Sequence, residues 1–453
     1  MSTIAAISTP LGAGGLGVIR VSGKDAITIC DRVFKSQSGV KLCDKKGYTA
    51  VFGKVFDKVG DIDDAVALVF RAPLSYTGEN VVELSLHGGV YILTRTLEAV
   101  INSGAVPAMA GEFTRRAFLN GKMSLTQAES VMDTIHAEGV ASARAALETR
   151  EGALFNKINE IKRDLVTCEG HICAFIDFPD EGVDEVEGEK LLSLLKNALE
   201  RLTYLINSYS KGKILREGVK TAIVGKPNVG KSTLMNRLSG FEKSIVTDIA
   251  GTTRDVVEES VRLNNITLRL FDTAGIRETD DKVEKIGVEL AYKNIDSADL
   301  ILAVFDASVK LDENDKNLIE KIKGRTAIGV VNKTDSVCVC DTEYIKANLQ
   351  NLVFISAKED KTLEGLENAI EKAVGVNNFD SSNGVLSNLR QLNCACVAQS
   401  HLNDAVASLQ NGFTLDAVGV CVESAIEALT ELTGESASEA VIDEVFSKFC
   451  VGK

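Results

Sequence analysis

The sequence predicts a multidomain protein, part α/β and part all-α, and three observations carry that prediction. Residues 221–238 read as a strand, a glycine-rich loop and a helix start. Residues 1 to about 120 alternate short β-prone segments with turns. Stretches on both sides of the first feature, 120–217 and 377 onward, repeat apolar side chains at three- and four-residue steps. At 453 residues the chain is too long for one core. Its 45% hydrophobic and 25% charged residues are an ordinary soluble balance. The net charge of −14 argues against indiscriminate nucleic-acid binding, so any RNA contact must be local or supplied partly by a partner. Ten cysteines occur without a Cys-x-x-Cys pair or a histidine cluster, which argues against structural zinc and for reduced thiols in the cytoplasm. No basic segment leads into an apolar run at the start, and no run approaches the ~20 residues of a membrane span.

In chain order, residues 1–119 form the first predicted domain, α+β in character, with strands expected near Gly17–Gly23, Ala65–Phe70 and Asn80–Leu84. Gly12-Ala-Gly-Gly-Leu-Gly17 satisfies the dinucleotide fingerprint literally. A β-branched run follows it instead of a helix, so that reading is rejected. Residues 120–217 are the first half of a helical domain. Ser124 and Gln127 have capping-box spacing, with Leu125, Ala128, Val131, Met132 and Ile135 on one face. A second stripe runs Leu154, Ile158, Ile161, Leu165, Cys168, Ile172, Phe175, and Pro179 stops it; the acidic stretch 180–189 reads as solvated loop. Residues 218–376 form an inserted α/β domain. Residues 377–453 return to helix, with stripes Leu389, Leu392, Cys396, Leu402, Val406, Leu409 and Val418, Cys421, Val422, Ala425, Leu429, Leu432. Insertion at a surface loop of a helical domain explains that order.

The inserted domain carries the clearest chemistry. Gly225-Lys-Pro-Asn-Val-Gly-Lys-Ser232 is a complete phosphate-binding loop of a Ras-like domain. Gly225 and Gly230 let the backbone wrap a polyphosphate, with Asn228 and Val229 between them. Lys231 reaches the outer phosphates, Ser232 ligates Mg²⁺, and Thr233 continues into the helix. Asn332-Lys333-Thr334-Asp335 follows an apolar strand, and Asp335 can accept from both donors on the guanine edge. Ser356-Ala357-Lys358 follows another strand and offers a backbone N–H to the guanine carbonyl. Together they point to GTP. Asp272, Thr273, Ala274 and Gly275 sit where the Mg²⁺ shell and the γ-phosphate are read, and Thr253 in the run 251–255 supplies a second Mg²⁺ hydroxyl.

Ile276 stands where many GTPases carry a water-orienting glutamine. Hydrolysis then needs another device. Asn228, with Thr247, Asp248, Ile249, Ala250, Gly251 and Thr252 curling over the phosphates, could cage a monovalent cation doing an arginine finger's work; alternatively Asn228 is only a turn residue after Pro227.

The ends of the chain resemble one family. Phe449-Cys-Val-Gly-Lys453 is similar to the terminal Phe-Cys-Ile-Gly-Lys of the MnmE (TrmE) family of tRNA-modification GTPases. So are Thr9-Pro-Leu-Gly-Ala-Gly-Gly-Leu-Gly-Val-Ile-Arg-Val-Ser-Gly23, Tyr76-Thr-Gly-Glu-Asn-Val-Val-Glu83, His87-Gly-Gly89 and Gly111-Glu-Phe-Thr-Arg-Arg-Ala-Phe-Leu-Asn-Gly-Lys122. The departures, Val451 for isoleucine and Ala13 for arginine, remove no assigned functional group. The resemblance implies a homodimer joined through the N-terminal domain, which binds a tetrahydrofolate derivative (5-formyl- or 5,10-methylene-tetrahydrofolate). Arg20, Glu83, Lys122 and Lys453 match the folate-contacting positions. It implies potassium ligands at Asn228, Thr247, Ile249 and Thr252, and a water-positioning Glu284. It further implies a heterotetramer with the flavoprotein MnmG and modification of C5 of the wobble uridine of certain tRNAs with an aminomethyl or carboxymethylaminomethyl group. The GTPase motifs alone equally permit a GTP-dependent assembly factor without tRNA chemistry. Such a switch would have no use for the folate-matching set. A filament-forming GTPase is disfavoured by the lack of sustained heptads.

Overall fold

The alternating pattern of residues 1–120 becomes a seven-stranded sheet. Its strands are β1 (Ile4–Ile7), β2 (Gly14–Ser22), β3 (Phe34–Ser36), β4 (Thr49–Phe56), β5 (Asp61–Phe70), β6 (Val81–Gly88) and β7 (Val106–Pro107), in the order β3-β4-β5-β6-β2-β1-β7. All neighbours are antiparallel except β1 and β7. This is a computed structural model, and it describes residues 1–177, 188–240, 258–263, 266–271, 295–359, 363–375, 382 and 384–453. The chain separates into two units, residues 1–132 with 420–453, and residues 133–419.

In the first unit the period-two alternation sorts the sheet into faces: Val51, Gly53 and Val55 of β4 point inward, Ala50, Phe52 and Lys54 outward. Helices α1 (Ala26–Cys30) and α2 (Val90–Asn102) cover the inner face, bringing Ile27, Ile29, Leu93, Ala99 and Val100 into one core with Val21, Val55, Ala67 and Leu84. Gly17 permits that closure, since a Cβ there would lie 2.6 Å from the Leu93 side chain. The run 12–17 therefore enters a strand, in keeping with the rejected dinucleotide reading. Next come α3 (Glu112–Leu119) and α4 (Leu125–Ile135). The Ser124 N–H donates to Gln127 Oε1 (2.9 Å) and the Gln127 N–H to Ser124 Oγ (3.3 Å), the reciprocal cap that the spacing predicts. Leu125, Ala128, Val131 and Met132 are buried, whereas Ile135 is exposed.

The second unit opens with α5 (Val140–Arg150), α6 (Ala153–Asp177) and α7 (Gly188–Glu217). The α6 stripe from Leu154 to Ile172 is buried as its spacing predicts; Pro179 and residues 180–187 of the acidic stretch lie outside the described residues. Then follow β8 (Val219–Val224), α8 (Lys231–Ser239), β9 (Glu258–Leu263), β10 (Ile266–Phe271), β11 (Leu300–Asp306), α9 (Glu313–Ile322), β12 (Ala327–Asn332), α10 (Thr342–Asn348), β13 (Asn351–Phe354) and α11 (Glu364–Val374). The six strands run β13-β12-β11-β8-β10-β9, all parallel except β9. Buried on both faces, β11 reads as continuous apolar sequence. Leu302 and Val304 pack with Leu234 and Leu366, while Ile301, Ala303 and Phe305 pack with Ile319 and Ile345.

Helix α12 (Leu389–Gln410) then packs on α7. Here the predicted stripe is rotated. Leu389 and Cys396 are exposed, and the buried line is Gln391, Cys394, Ala395, Ala398, Leu402 and Ala405. Small side chains let backbones approach closely, as at Gly212 of α7, where a Cβ would collide with the Leu386 carbonyl oxygen. Helix α13 (Leu415–Thr433) follows, with Val418, Val422, Ala425, Leu429 and Leu432 buried, and α14 (Glu439–Ser447) ends the described helices. Ile442, Phe446 and Phe449 join Leu125, Val131 and Met132 in a core of the first unit.

Candidate functional site

The phosphate loop leaves the C-terminal end of β8, the central strand, where open α/β sheets bind ligands. Its glycines are required by geometry. Gly225 (φ +148°) would bring a Cβ into the Val304 carbonyl oxygen, and Gly230 (φ +100°) into the Asn332 amide. Asn228, φ +62°, turns the chain between them; its side chain is exposed and makes no hydrogen bond among the described residues. Lys231 Nζ donates to the Gly225 and Lys226 carbonyls (2.7 and 2.6 Å), folding over the loop, and burial pulls its pKa below the usual lysine range. Ser232 and Thr233 are exposed at the start of α8.

The segments predicted to read the base converge on this loop. Asn332, buried at the end of β12, donates from Nδ2 to the Val229 carbonyl (2.9 Å) and accepts from the Ala357 N–H (2.9 Å). One amide thus joins the phosphate loop, the 332–335 segment and the 356–358 segment. Lys333 donates to the Asn228 carbonyl (2.8 Å) and to Asp306 Oδ2 (2.6 Å). Burial raises the Asp306 pKa, but its bonds to Lys333 and Ser308 outweigh that and hold it low. Asp335 accepts from Ser356 Oγ (2.6 Å), which also holds its carboxyl below the usual range. Lys358 follows at the same strand end and adds a weaker pull on Asp335.

Sequence reasoning missed a clamp on the loop. Lys226 Nζ lies 2.9 Å from Asp312 Oδ2 and 2.7 Å from Asp315 Oδ2, at the N-terminus of α9. The acids also cap that helix: Asp312 Oδ1 accepts from the Asp315 N–H and Asp315 Oδ2 from the Asp312 N–H, both at 3.1 Å. Burial lowers the Lys226 pKa, but the bonds to Asp315 and Asp312 outweigh it and the net shift is upward. The signal, Asp-x-x-Asp ahead of a helix, was present without a reason to tie it to the loop. Thr247 through Thr253, Asp272 to Gly275 and Glu284 lie outside the described residues.

A second cluster forms in the first unit. Arg20 and Glu83 are cross-strand neighbours in β2 and β6, and Arg20 Nε donates to Glu83 Oε1 (2.8 Å). The Arg20 guanidinium also lies 5.5 Å from the ring centroids of Tyr76 and Phe113. The last residues reach the same place. Arg20 Nη1 (3.3 Å) and Ser8 Oγ (3.1 Å) donate to the Gly452 carbonyl, the Phe113 N–H donates to the Lys453 carbonyl (3.0 Å), and Ala110 pairs with Val451. Gly452 has φ +95°, and a Cβ there would sit 2.5 Å from the Ile7 carbonyl oxygen. Lys122 donates to the Pro73 carbonyl (3.2 Å) and packs by Gly78, bracketing the loop that carries Tyr76. Arg20, Glu83 and the 450–453 tail are therefore brought together, with Lys122 on an adjoining loop. Behind them Arg116, 3% exposed, binds Glu79 (3.1 Å), Glu112 (2.8 Å) and the Ser2 carbonyl (2.8 Å). Tyr76, Phe113 and Arg116 lay within motifs that sequence reading used only as family signature. Cys450 is exposed.

Family models match in both units: "GTP-binding protein TrmE N-terminus" over residues 3–122 and "MnmE helical domain" over residues 125–450. The chain is 40% identical over 456 residues to the tRNA modification GTPase MnmE of Acetivibrio thermocellus, spanning 100% of this chain and 99% of that one. Its identity to the protein of the same name from Caldicellulosiruptor saccharolyticus is 40% over 453 residues, with the same spans. A further relative of that name, from Symbiobacterium thermophilum, is 40% identical over 455 residues. With these family models spanning the chain and relatives 40% identical over its whole length, the protein belongs to the MnmE family of tRNA modification GTPases.

Proposed function

We propose that this protein is a potassium-activated GTPase that acts with the flavoprotein MnmG. Together they add an aminomethyl or carboxymethylaminomethyl group to C5 of the wobble uridine, position 34, of certain tRNAs, with a tetrahydrofolate derivative as one-carbon donor. The observation that carries this reading is the docking of residues 450–453 beside Arg20 and Glu83, in a chain that also holds a guanine-nucleotide loop. A plain switch has no use for that cluster. The donor set fits a folate: Glu83 keeps its second carboxylate oxygen without a partner among the described residues, ready for the donor-rich pterin edge. Tyr76 and Phe113 supply flat apolar faces, and Lys122 and Lys453 suit carbonyl and glutamyl oxygens. The folate, when bound, supplies the one-carbon unit; the protein's part is to orient it and exclude water.

In the GTPase domain, residues 218–376 in our division, Lys231 would exchange its two loop carbonyls for phosphate oxygens when nucleotide arrives. Mg²⁺ would be held by Ser232 and Thr253, and K⁺ by Asn228, Thr247, Ile249 and Thr252. The Asn228 side chain is exposed on the phosphate loop, where it could reach such an ion, and its φ of +62° makes the turn after Pro227 as well. Glu284 would orient water in place of the absent glutamine. Residues 1–119 form the folate-binding and dimerising domain, and 120–217 with 377–453 the two helical halves. A cytoplasmic homodimer is the form we assign; no helix among the described residues is long and apolar enough to cross a membrane. Titration with 5-formyl-tetrahydrofolate tests the reading: the protein should bind it and Glu83→Ala should not. Failure of the unaltered protein to bind would remove the one-carbon role. A mass-spectrometric inventory of wobble uridines in a deletion strain tests the product.

A further inference from the structure

The charge balance reverses along one stretch. From Arg32 to Lys58 the chain carries seven basic and two acidic side chains, in a protein of net charge −14. This stretch builds β3, the helical turn Leu42–Asp44 and β4, at one edge of the seven-stranded sheet. Lys35 and Lys54 are directly opposite each other in the β3–β4 ladder, a like-charge pairing that costs stability. Asp61 (3.2 Å) and Asp64 (3.9 Å) relieve Lys54. Lys35, Lys41, Lys45 and Lys46 have no carboxylate at ion-pair distance among the described residues.

Lysines at a sheet edge have an ordinary use, which is to keep the edge from pairing with other chains. The aromatic side chains here contradict that use. Phe52 stands on the same outward face of β4 as Lys54 and is 52% exposed. Tyr48, at φ +60°, is 65% exposed with its ring edge-on to Phe70 at 5.5 Å. An exposed phenyl ring invites association where lysines would deter it. Around it Ser36, Ser38, Lys45, Ala50 and Phe52 line an open hollow of about 430 Å³. Unpaired cations, exposed rings and hydroxyls around a concavity are the chemistry of single-stranded RNA recognition, in which lysines meet phosphates and a base stacks on an aromatic face. Elsewhere the acidic balance repels a phosphate backbone, so a tRNA contact has to be local.

We infer that this β3–β4 edge grips the tRNA substrate, with Lys35, Lys41, Lys45 and Lys46 on backbone phosphates and Phe52 under an unpaired base. The inference rests on the tRNA-modification reading above. The test is anisotropy of a fluorescein-labelled tRNA against the full-length protein over a range of salt. Replacing the four lysines by alanine together should flatten the dependence of log affinity on log salt by roughly three, from 0.7–0.9 per phosphate contact, and weaken binding at least about tenfold at low salt. Phe52→Ala should weaken binding roughly 5- to 100-fold without changing the slope. GDP affinity should not move and the melting temperature should not fall, since none of the five side chains is buried and loss of Lys35 relieves its like-charge pairing with Lys54. Wild-type affinity and slope in both variants overturn the inference. Loss of the flavoprotein with tRNA binding intact also overturns it, because the edge would then be a protein-docking surface. Absence of tRNA binding by the unaltered protein, alone or with the flavoprotein, instead sinks the tRNA reading beneath it.

Discussion

Asp335 is ordered before any base arrives, because Ser356 Oγ already holds its carboxylate at 2.6 Å. Asp335→Asn should shift preference from guanine toward xanthine, since an amide can donate where xanthine offers a carbonyl. Competition binding should show GTP weakened roughly 10- to 100-fold and XTP strengthened. Retained guanine selectivity would take Asp335 out of the base site. Lys226 should behave differently, because its charge is spent on Asp312 and Asp315 and not on phosphate. Lys226→Met leaves the buried Asp315 without its cation and frees the loop, so GTP and GDP should both weaken about tenfold with base selectivity unchanged. Lys226→Arg should restore most of the affinity. Equal nucleotide affinity in the methionine variant would show that the α9 pair does not position the loop.

At the scale of elements, the 450–453 tail and the sheet of the first unit test each other. Chain ends usually fray and tolerate change, yet this one is held by four bonds from Ser8, Arg20, Gly111 and Phe113. Deleting Cys450 to Lys453 should weaken folate binding about 10- to 150-fold and abolish tRNA modification, while guanine-nucleotide affinity stays near normal. Gly452→Ala should act in the same direction, because its φ of +95° and the Ile7 oxygen 2.5 Å away leave no place for a methyl group. Normal modification by the truncated protein would make the motif a family relic. Elements of this kind were legible where periodicity or spacing fixes them, as in the α6 stripe, the Ser124–Gln127 cap and the strands flanking the phosphate loop. α12 was legible only at Leu402, because the rest of its packing line is Gln391, Cys394 and three alanines. Small side chains carry almost no hydrophobic signal, yet they decide which face comes close.

Over the whole molecule, the nucleotide loop and the Arg20 cluster lie in different units, so a cation effect on the first should leave the second untouched. Replacing sodium by potassium should raise the GTPase rate by one to several orders of magnitude, up to the roughly 10³–10⁵ that arginine fingers supply. Asn228→Ala should abolish the difference, with folate affinity unchanged; equal rates in both salts would remove the caged cation. The local motifs 225–232 and 332–335 suggested a site because each carries its chemistry within a few residues, and the structure joins the two through the bond from Asn332 to the Val229 carbonyl. The Arg20 cluster did not, since Ser8, Arg20, Tyr76, Phe113 and Gly452 meet only through strand pairing and chain return. Read along the sequence, without a family to compare, each is an ordinary surface or core residue. That long return has a temporal side. Ser8 and Gly452 are 444 residues apart in sequence. At the ~5–20 residues per second of ribosomal synthesis, roughly 20–90 s pass between making one and the other. Through that interval the nascent N-terminal sheet must stand with the Arg20 cluster incomplete. A newly begun chain therefore cannot assemble the full cluster until translation has reached the tail.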